Sequence, residues 1–379
     1  MAARRVAIGL ADGVVCELAD LNRSRQRRRR FQHFGSTVIA SFAAQSLDCS
    51  AMHSSESAAE SVEDPAGPDS STGRLLVVTP CRNEQEFMRR TLDSIVEQTH
   101  APALWVIVDD GSTDDTPKIL ADYAERFPFI RIVRRGDRGK RSVGPGVIDA
   151  FYVGLDGVDL DDFEFVCKLD LDLVMLPDYF EKMIGRMRAA PRLGSCSGKP
   201  YYHDKSGALQ PEWCDDEIVV GAAKFYRVSC FQQIGGFVRQ VMWDGIDSHR
   251  CRLFGWLACR WDDEDLRFLQ LRPMGSSDSS LLRGRRRHGH GQYFMGTAPA
   301  YLLASALRRL LQPPRVSGAV VMWWGYVGSW LRREPRYEDL RFRRFLRRYQ
   351  WSTMVRGKKR AIARIEREQE SVWDPSLRT

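Results

Sequence analysis

Apolar and polar positions change rhythm at Arg74. From there "RLLVVTP" is a continuous apolar run, the pattern of a strand buried on both faces. "EQEFMRRTLDSIVEQTH" then sets Phe87, Leu92, Ile95 and Val96 at helical spacing. "LWVIVDD" predicts a second buried strand. "GSTDDTPKILADYAERF" predicts a helix capped by Ser112, with acids in its first turn and Pro117 near its start. "FIRIV" reads as a third strand, "VGPGVIDAFYVGL" as a helix entered through Gly-Pro-Gly, "FEFVCKLD" as a fourth strand and "PDYFEKMIGRMRAA" as the next helix. Short-range alternation of strand and helix predicts an α/β fold, a parallel sheet with helices on both faces. Such sheets bind ligands beyond the carboxyl ends of their strands. Those ends are polar here: Asn83 and Glu84, Asp109 and Asp110, Arg134 and Arg135, Asp170 and Asp172.

The flanks differ. Residues 1–73 hold an arginine run, "RSRQRRRRFQHFG", and a Ser/Pro/Gly/acid stretch that cannot bury a core, which predicts a disordered extension or a translation start at Met52. The weakly apolar "STVIASFAAQSL" is a poor export signal because Ser41 and Gln45 interrupt it. "GRRRHGHGQYFMG", 284–296, is expected to be a basic lid loop carrying Arg287 and His288, preceded by a mobile segment. A C-terminal helical extension is expected over 298–379. Its Trp-rich Val316–Leu331 stretch approaches the apolar length of a membrane span without reaching it. Its tail interleaves Leu340, Phe342, Phe345, Leu346 and Tyr349 with arginines, the composition of a basic amphipathic surface for an anionic membrane.

A chain of 379 residues with 43% hydrophobic content can bury one large or two ordinary cores. The net charge of +8 favours an anionic partner. The nine cysteines form no CxxC pair, which argues against a zinc site or a disulfide framework and fits a reducing cytoplasm. Most basic residues lie outside the α/β half and no RNA- or DNA-binding motif accompanies them, so nucleic acid is not an expected partner.

The chemistry concentrates at "KLDLDLVMLPDYFE", residues 168–181. Asp170 and Asp172 fall on one side of an extended chain and need a compensating positive charge, unless they form a solvated acidic turn before the Pro177 helix. The basic "RRGDRGKR" supplies Arg138 and Lys140. An acidic pair beside a basic loop suits a metal-bound diphosphate. A kinase-type phosphate loop is not expected, since Lys140 is followed by Arg141 rather than Ser or Thr.

"VVTPCRNE", "VIVDDGSTDDT" and "KLDLDLVMLPDYFE" resemble, in order and spacing, the opening motifs of family-2 glycosyltransferases with the GT-A fold. "VVGAAKFYRVSCFQQIGGF" resembles that family's acceptor-side stretch, and "WDGIDSHRCRLFGW" its catalytic segment, with Ile246 in place of the usual Glu. The resemblance covers about 74–297 and implies a GT-A domain there. It implies that Pro80, Glu84, Asp109 and Asp110 hold the nucleotide, that Asp170 and Asp172 bind Mn²⁺ or Mg²⁺, and that Asp247 is the general base, with Asp244 as its rival. It implies a nucleotide-sugar donor (UDP-, GDP- or dTDP-linked) and a glycolipid or lipid-linked oligosaccharide acceptor. The expected place is cytoplasmic, at the inner face of the cell membrane. Processive members carry Gln-x-x-Arg-Trp where this chain has "QYFM", which implies transfer of a single sugar. The alternatives are a sugar-nucleotide transferase, which lacks its glycine-rich loop after the first strand, a non-catalytic nucleotide-sugar-binding protein, and a nucleic-acid-binding protein.

Overall fold

The computed structural model describes residues 73–137, 139, 144–212, 218–272, 281–310 and 315–377. The expectations for residues 1–72, for Arg138 and Lys140, and for the segment before residue 281 fall outside those residues. Gly73 to Thr379 form one compact unit.

The alternation seen in sequence folds as β1 (Leu75–Cys81), α1 (Met88–Val96), β2 (Leu104–Asp109), α2 (Thr116–Arg126), β3 (Ile130–Arg134), α3 (Pro145–Gly154), β4 (Phe165–Leu169), β5 (Leu173–Val174) and α4 (Tyr179–Ala189). There follow β6 (Leu193–Gly198), β7 (Pro200–His203), β8 (Leu209–Pro211), β9 (Ala223–Arg227), α5 (Val228–Gln233), α6 (Trp243–Leu253), β10 (Leu257–Trp261) and β11 (Phe268–Gln270). The main sheet has the order β10-β6-β9-β4-β1-β2-β3. All its pairings are parallel except those of β9, which runs antiparallel to β4 and β6. A small second sheet runs β5-β11-β7-β8.

Successive strand residues point to opposite faces, and both faces are apolar. Leu75, Val77, Trp105 and Ile107 pack under α1, α2 and α4. Leu76, Val78, Val106 and Val108 pack with α3, α5 and the start of α6. Register sets Cys81 beside Asp109 and Asp109 beside Arg134, so the polar strand ends collect at one rim.

Ser112 does not cap α2. Its Oγ accepts from the Asn83 N–H at 2.9 Å, and the Thr116 N–H at the head of α2 donates to Asp114. Phe87 is only half-buried, and Met88 takes its place in the core.

Five helices complete the described chain: α7 (Leu281–Met295), α8 (Pro299–Arg309), α9 (Arg315–Leu331), α10 (Leu340–Arg356) and α11 (Lys358–Glu368). The expected lid loop at 284–296 is thus a helix. Two of its glycines have a packing reason. A Cβ on Gly289 would lie 1.9 Å from the Met322 carbonyl oxygen, and one on Gly325 would lie 2.2 Å from that of Arg286. Helices α7 and α9 therefore meet backbone to backbone.

The basic tail also departs from expectation. Phe342, Phe345, Leu346 and Tyr349 are buried against Ile246 and Leu253 of α6 and Ile362 and Ile365 of α11. They close a third core and leave the arginines outside, so this stripe is not the apolar side of a membrane surface. No helix among the described residues is long and apolar enough to cross a membrane.

Candidate functional site

At the rim, the ends of β1, β2 and β4 meet α3, the start of α6, the end of β11 and α7 around a cavity of about 430 Å³. Pro80, Glu84, Asp110, Asp170, Asp172, Asp244, Arg287 and His288 all line it. Asp109 and Asp247 do not.

Asp109 is buried and turns its carboxylate back on the chain, with Oδ1 accepting from the Ser112 N–H at 2.9 Å. It shapes the loop that presents Asp110. Asp110 pairs with Arg135 at 3.1 Å, and Arg82 donates to its carbonyl at 2.7 Å.

Asp170 pairs with Lys168, whose ammonium also donates to the Gly221 carbonyl at 2.8 Å. Asp172 is nearly buried. Burial raises its carboxyl to about 6, the Asp170 charge adds to the rise, and Arg272 opposes it. Arg272 reaches across with Nε 2.7 Å from Asp172 Oδ2 and Nη2 2.7 Å from Glu84 Oε1. The positive charge demanded by the acidic strand end is thus supplied within the chain.

Whether these residues suit a divalent cation is decided by their free oxygens. Asp172 Oδ1 and Gln270 Oε1 are buried acceptors without a hydrogen-bond partner. Both residues line the cavity, and hard cations take oxygen ligands. Among the described residues no cluster of three or more His, Cys, Asp or Glu converges. The residues fit a cation held by one or two carboxylates and completed by phosphate oxygens, rather than a closed protein cage.

The acid of α6 that reaches the cavity is Asp244. Met242, just before the helix, has φ of 66°, a left-handed conformation uncommon for a side chain of its size. Trp243 and Asp244 then line the cavity from the first turn. Asp247 lies one turn on, 0% exposed. Its Oδ1 is 2.5 Å from the Lys224 ammonium and its Oδ2 accepts from the Tyr226 hydroxyl at 2.6 Å. Lys224 also donates to the Asp244 carbonyl at 3.1 Å. Asp247, buried among these partners, does not line the cavity, whereas Asp244 does. The expectation that it is the base is corrected on that ground.

His290 is turned away from the cavity, with Nδ1 2.8 Å from Glu334. Sequence reasoning missed Arg82, Lys168, Trp243, Lys224 and Arg272. Lys168 and Lys224 had a signal, a charged residue inside an otherwise apolar strand.

The sequence model of glycosyl transferase family 2 matches residues 76–251. The chain carries a family-2 glycosyltransferase domain. The matched region holds β1 through most of α6, hence every acidic residue of the cavity. The sheet with its single antiparallel strand β9 is the GT-A architecture expected of the family-2 domain. A poly-β-1,6-N-acetyl-D-glucosamine synthase of Staphylococcus epidermidis is 30% identical over 130 residues, 34% of this chain and 29% of that protein. The uncharacterized glycosyltransferase YibD of Escherichia coli is 34% identical over 95 residues, 24% of this chain and 27% of that one. The chain thus spans less than a third of the length of these relatives. Among solved structures, S. aureus TarS aligns over 79% of this chain and 55% of its own, with 16% identity and a TM-score of 0.48. The mannosyltransferase PcManGT of Pyrobaculum calidifontis, in complex with GDP-Man and Mn²⁺, aligns over 97% and 95%, with 16% identity and a TM-score of 0.44.

Proposed function

We propose that the protein transfers one sugar from a nucleotide-sugar donor to a hydroxyl of a glycolipid or polysaccharide precursor, inverting C1, at the inner face of the cell membrane. The observation that carries this is the sharing of one cavity by two separate acidic groups, Asp170 with Asp172 at the end of β4 and Asp244 at the start of α6. Pro80, Glu84 and Asp110 would receive the nucleoside. Asp172 and Asp170 would hold Mn²⁺ or Mg²⁺, which supplies neutralisation of the leaving diphosphate. Lys168, Arg272 and Arg287 add fixed positive charge along the same wall. Asp244 takes the acceptor proton as its oxygen attacks from the side opposite the diphosphate. A single attack of this kind inverts C1 and needs no covalent intermediate.

The test is a thermal-shift series with UDP-, GDP- and dTDP-sugars, with and without Mn²⁺. One nucleotide should raise the melting temperature in a manganese-dependent way, because a ligand of the native state stabilises it. The shift should vanish in Asp172→Ala. Asp244→Asn should keep the shift and lose transfer by roughly 10³-fold in kcat. A chain stabilised by none of the nucleotides, or an Asp244→Asn enzyme that turns over normally, would overturn the proposal.

A further inference from the structure

The tail that looked membrane-like in sequence is packed into the core, yet the exposed apolar surface lies one helix pair away. Val316, Val320, Trp324 and Leu331 are at helical spacing on α9 and all are more than half exposed, Trp324 at 62%. Leu303 and Leu307, one turn apart on α8, are exposed as well. Next to this stripe is a cavity of about 590 Å³ walled by Trp323, Tyr326, Val327 and Trp330 of α9 and by Trp351 of α10. Arg336 and Arg347 stand at its edge, and Arg336 lies 4.4 Å from the centre of the Tyr293 ring.

Charge identifies what this surface meets. From Leu281 to Arg333 the sequence holds arginines and neither Asp nor Glu. Arg308 and Arg333 are exposed at the ends of the two helices, and Arg332, also exposed, pairs with Glu334 at 2.8 Å. A second copy of the chain docked on this face by two-fold symmetry would set arginine against arginine, with the adjacent Glu334 already committed to Arg332 and His290. An anionic bilayer offers the complement, negative headgroups for the arginines and hydrocarbon for the stripe. Tryptophan suits the boundary between the two. Helix α9 has 17 residues, fewer than a span requires, so it would lie in the interface and not cross it.

We propose that the α8–α9 face is a docking surface for an anionic phospholipid bilayer, and that the aromatic cavity beside it takes an apolar chain from that bilayer. This rests on the membrane-peripheral placement proposed above and gives it a surface. It also joins that surface to the cavity at the strand ends. Helix α7, seated backbone to backbone on the inner side of α9, carries Arg287 and His288 on the wall of the donor cavity.

The experiment is flotation of the full chain, without nucleotide, on vesicles of phosphatidylcholine alone or with a third of phosphatidylglycerol. The chain should float with the anionic vesicles only. Binding should fall roughly tenfold or more in Val320→Asp/Trp324→Asp at unchanged melting temperature. Leu303→Asp/Leu307→Asp on the other helix should do the same, so a folding defect in one pair does not decide the matter. If the variants float like wild type, the bilayer is met elsewhere and this inference fails while the membrane-peripheral placement stands. If wild type floats with neither vesicle, both fail. If light scattering shows a dimer that the substitutions dissolve and no flotation occurs, the face is an interface between copies and the inference is overturned. Donor binding, read by thermal shift, is separate from all three outcomes.

Discussion

Lys168 and Lys224 stand directly opposite each other across the antiparallel β4–β9 pair, both buried. Their ammonium groups lie 5.6 and 5.5 Å from the centre of the same Trp243 ring. Like charges in facing positions destabilise a sheet unless each is answered. Asp170 answers Lys168 at the cavity, and Asp247 answers Lys224 in the interior. Removing one partner of a buried pair costs more than removing both. Asp247→Asn should therefore lower stability by about 3 kcal/mol. Lys224→Met/Asp247→Leu should recover most of it. If the pair serves to position Asp244, the double variant keeps a low kcat at unchanged donor KM even when its melting temperature is restored. Recovery of both stability and kcat would mean that the pair only fills space.

Asp247 supplies one separable part of the pH dependence of stability, beside Asp172. Burial raises its carboxyl to about 6, against the opposing pull of Lys224. The folded chain then holds a proton that the unfolded chain releases between about pH 4 and pH 6. The contribution from this group is fully present below about pH 4 and is lost as pH rises through about 6, by at most about 3 kcal/mol. Urea unfolding across that window measures it as the difference between wild type and Asp247→Asn. A difference that does not change with pH would falsify the assignment.

Arg272 occupies Asp172, one of the two acids proposed above to hold a divalent cation. Arg272→Ala should strengthen Mn²⁺ binding in the absence of nucleotide, by roughly tenfold if the lost competition is worth one pKa unit. Calorimetric titration reads this directly. Unchanged or weaker binding would show that the guanidinium does not compete for the cation's place.

Gly289→Ala sets a methyl against the Met322 carbonyl, a contact that backbone shifts must relieve. Overpacking of this kind costs about 1–3 kcal/mol, which the melting temperature reports. Gly284→Ala on the same helix meets no atom within 4 Å and serves as the control for altered helix propensity.

The sheet was legible because its strands are apolar on both sides and its helices carry regular stripes, both of which survive in the sequence as periodicity. The acids of the rim were legible because Asp is rare at the end of a buried strand. The proposed base was not, since Asp244 and Asp247 are three residues apart on one helix and nothing in the pattern says which of them the side chains of β9 will seal. That depends on Lys224 and Tyr226, twenty residues upstream, and on the left-handed turn at Met242. Helix α7 is hidden in the sequence because its basic and glycine residues show no apolar stripe, whereas in the fold Gly289 serves close packing against a helix more than thirty residues away. The tail's partner is not legible because an amphipathic stripe looks the same whether it meets lipid or another helix.

Under the proposed function, Arg272 would make donor entry an exchange. The acidic pocket already holds a positive group on Asp172 Oδ2 and Glu84, so a cation held by Asp172 would compete with the guanidinium, and the diphosphate of the proposed donor would offer Arg272 another anion. The affinity for such a donor would then carry the cost of breaking the Arg272 pairs, and their re-formation would favour release of the spent nucleotide.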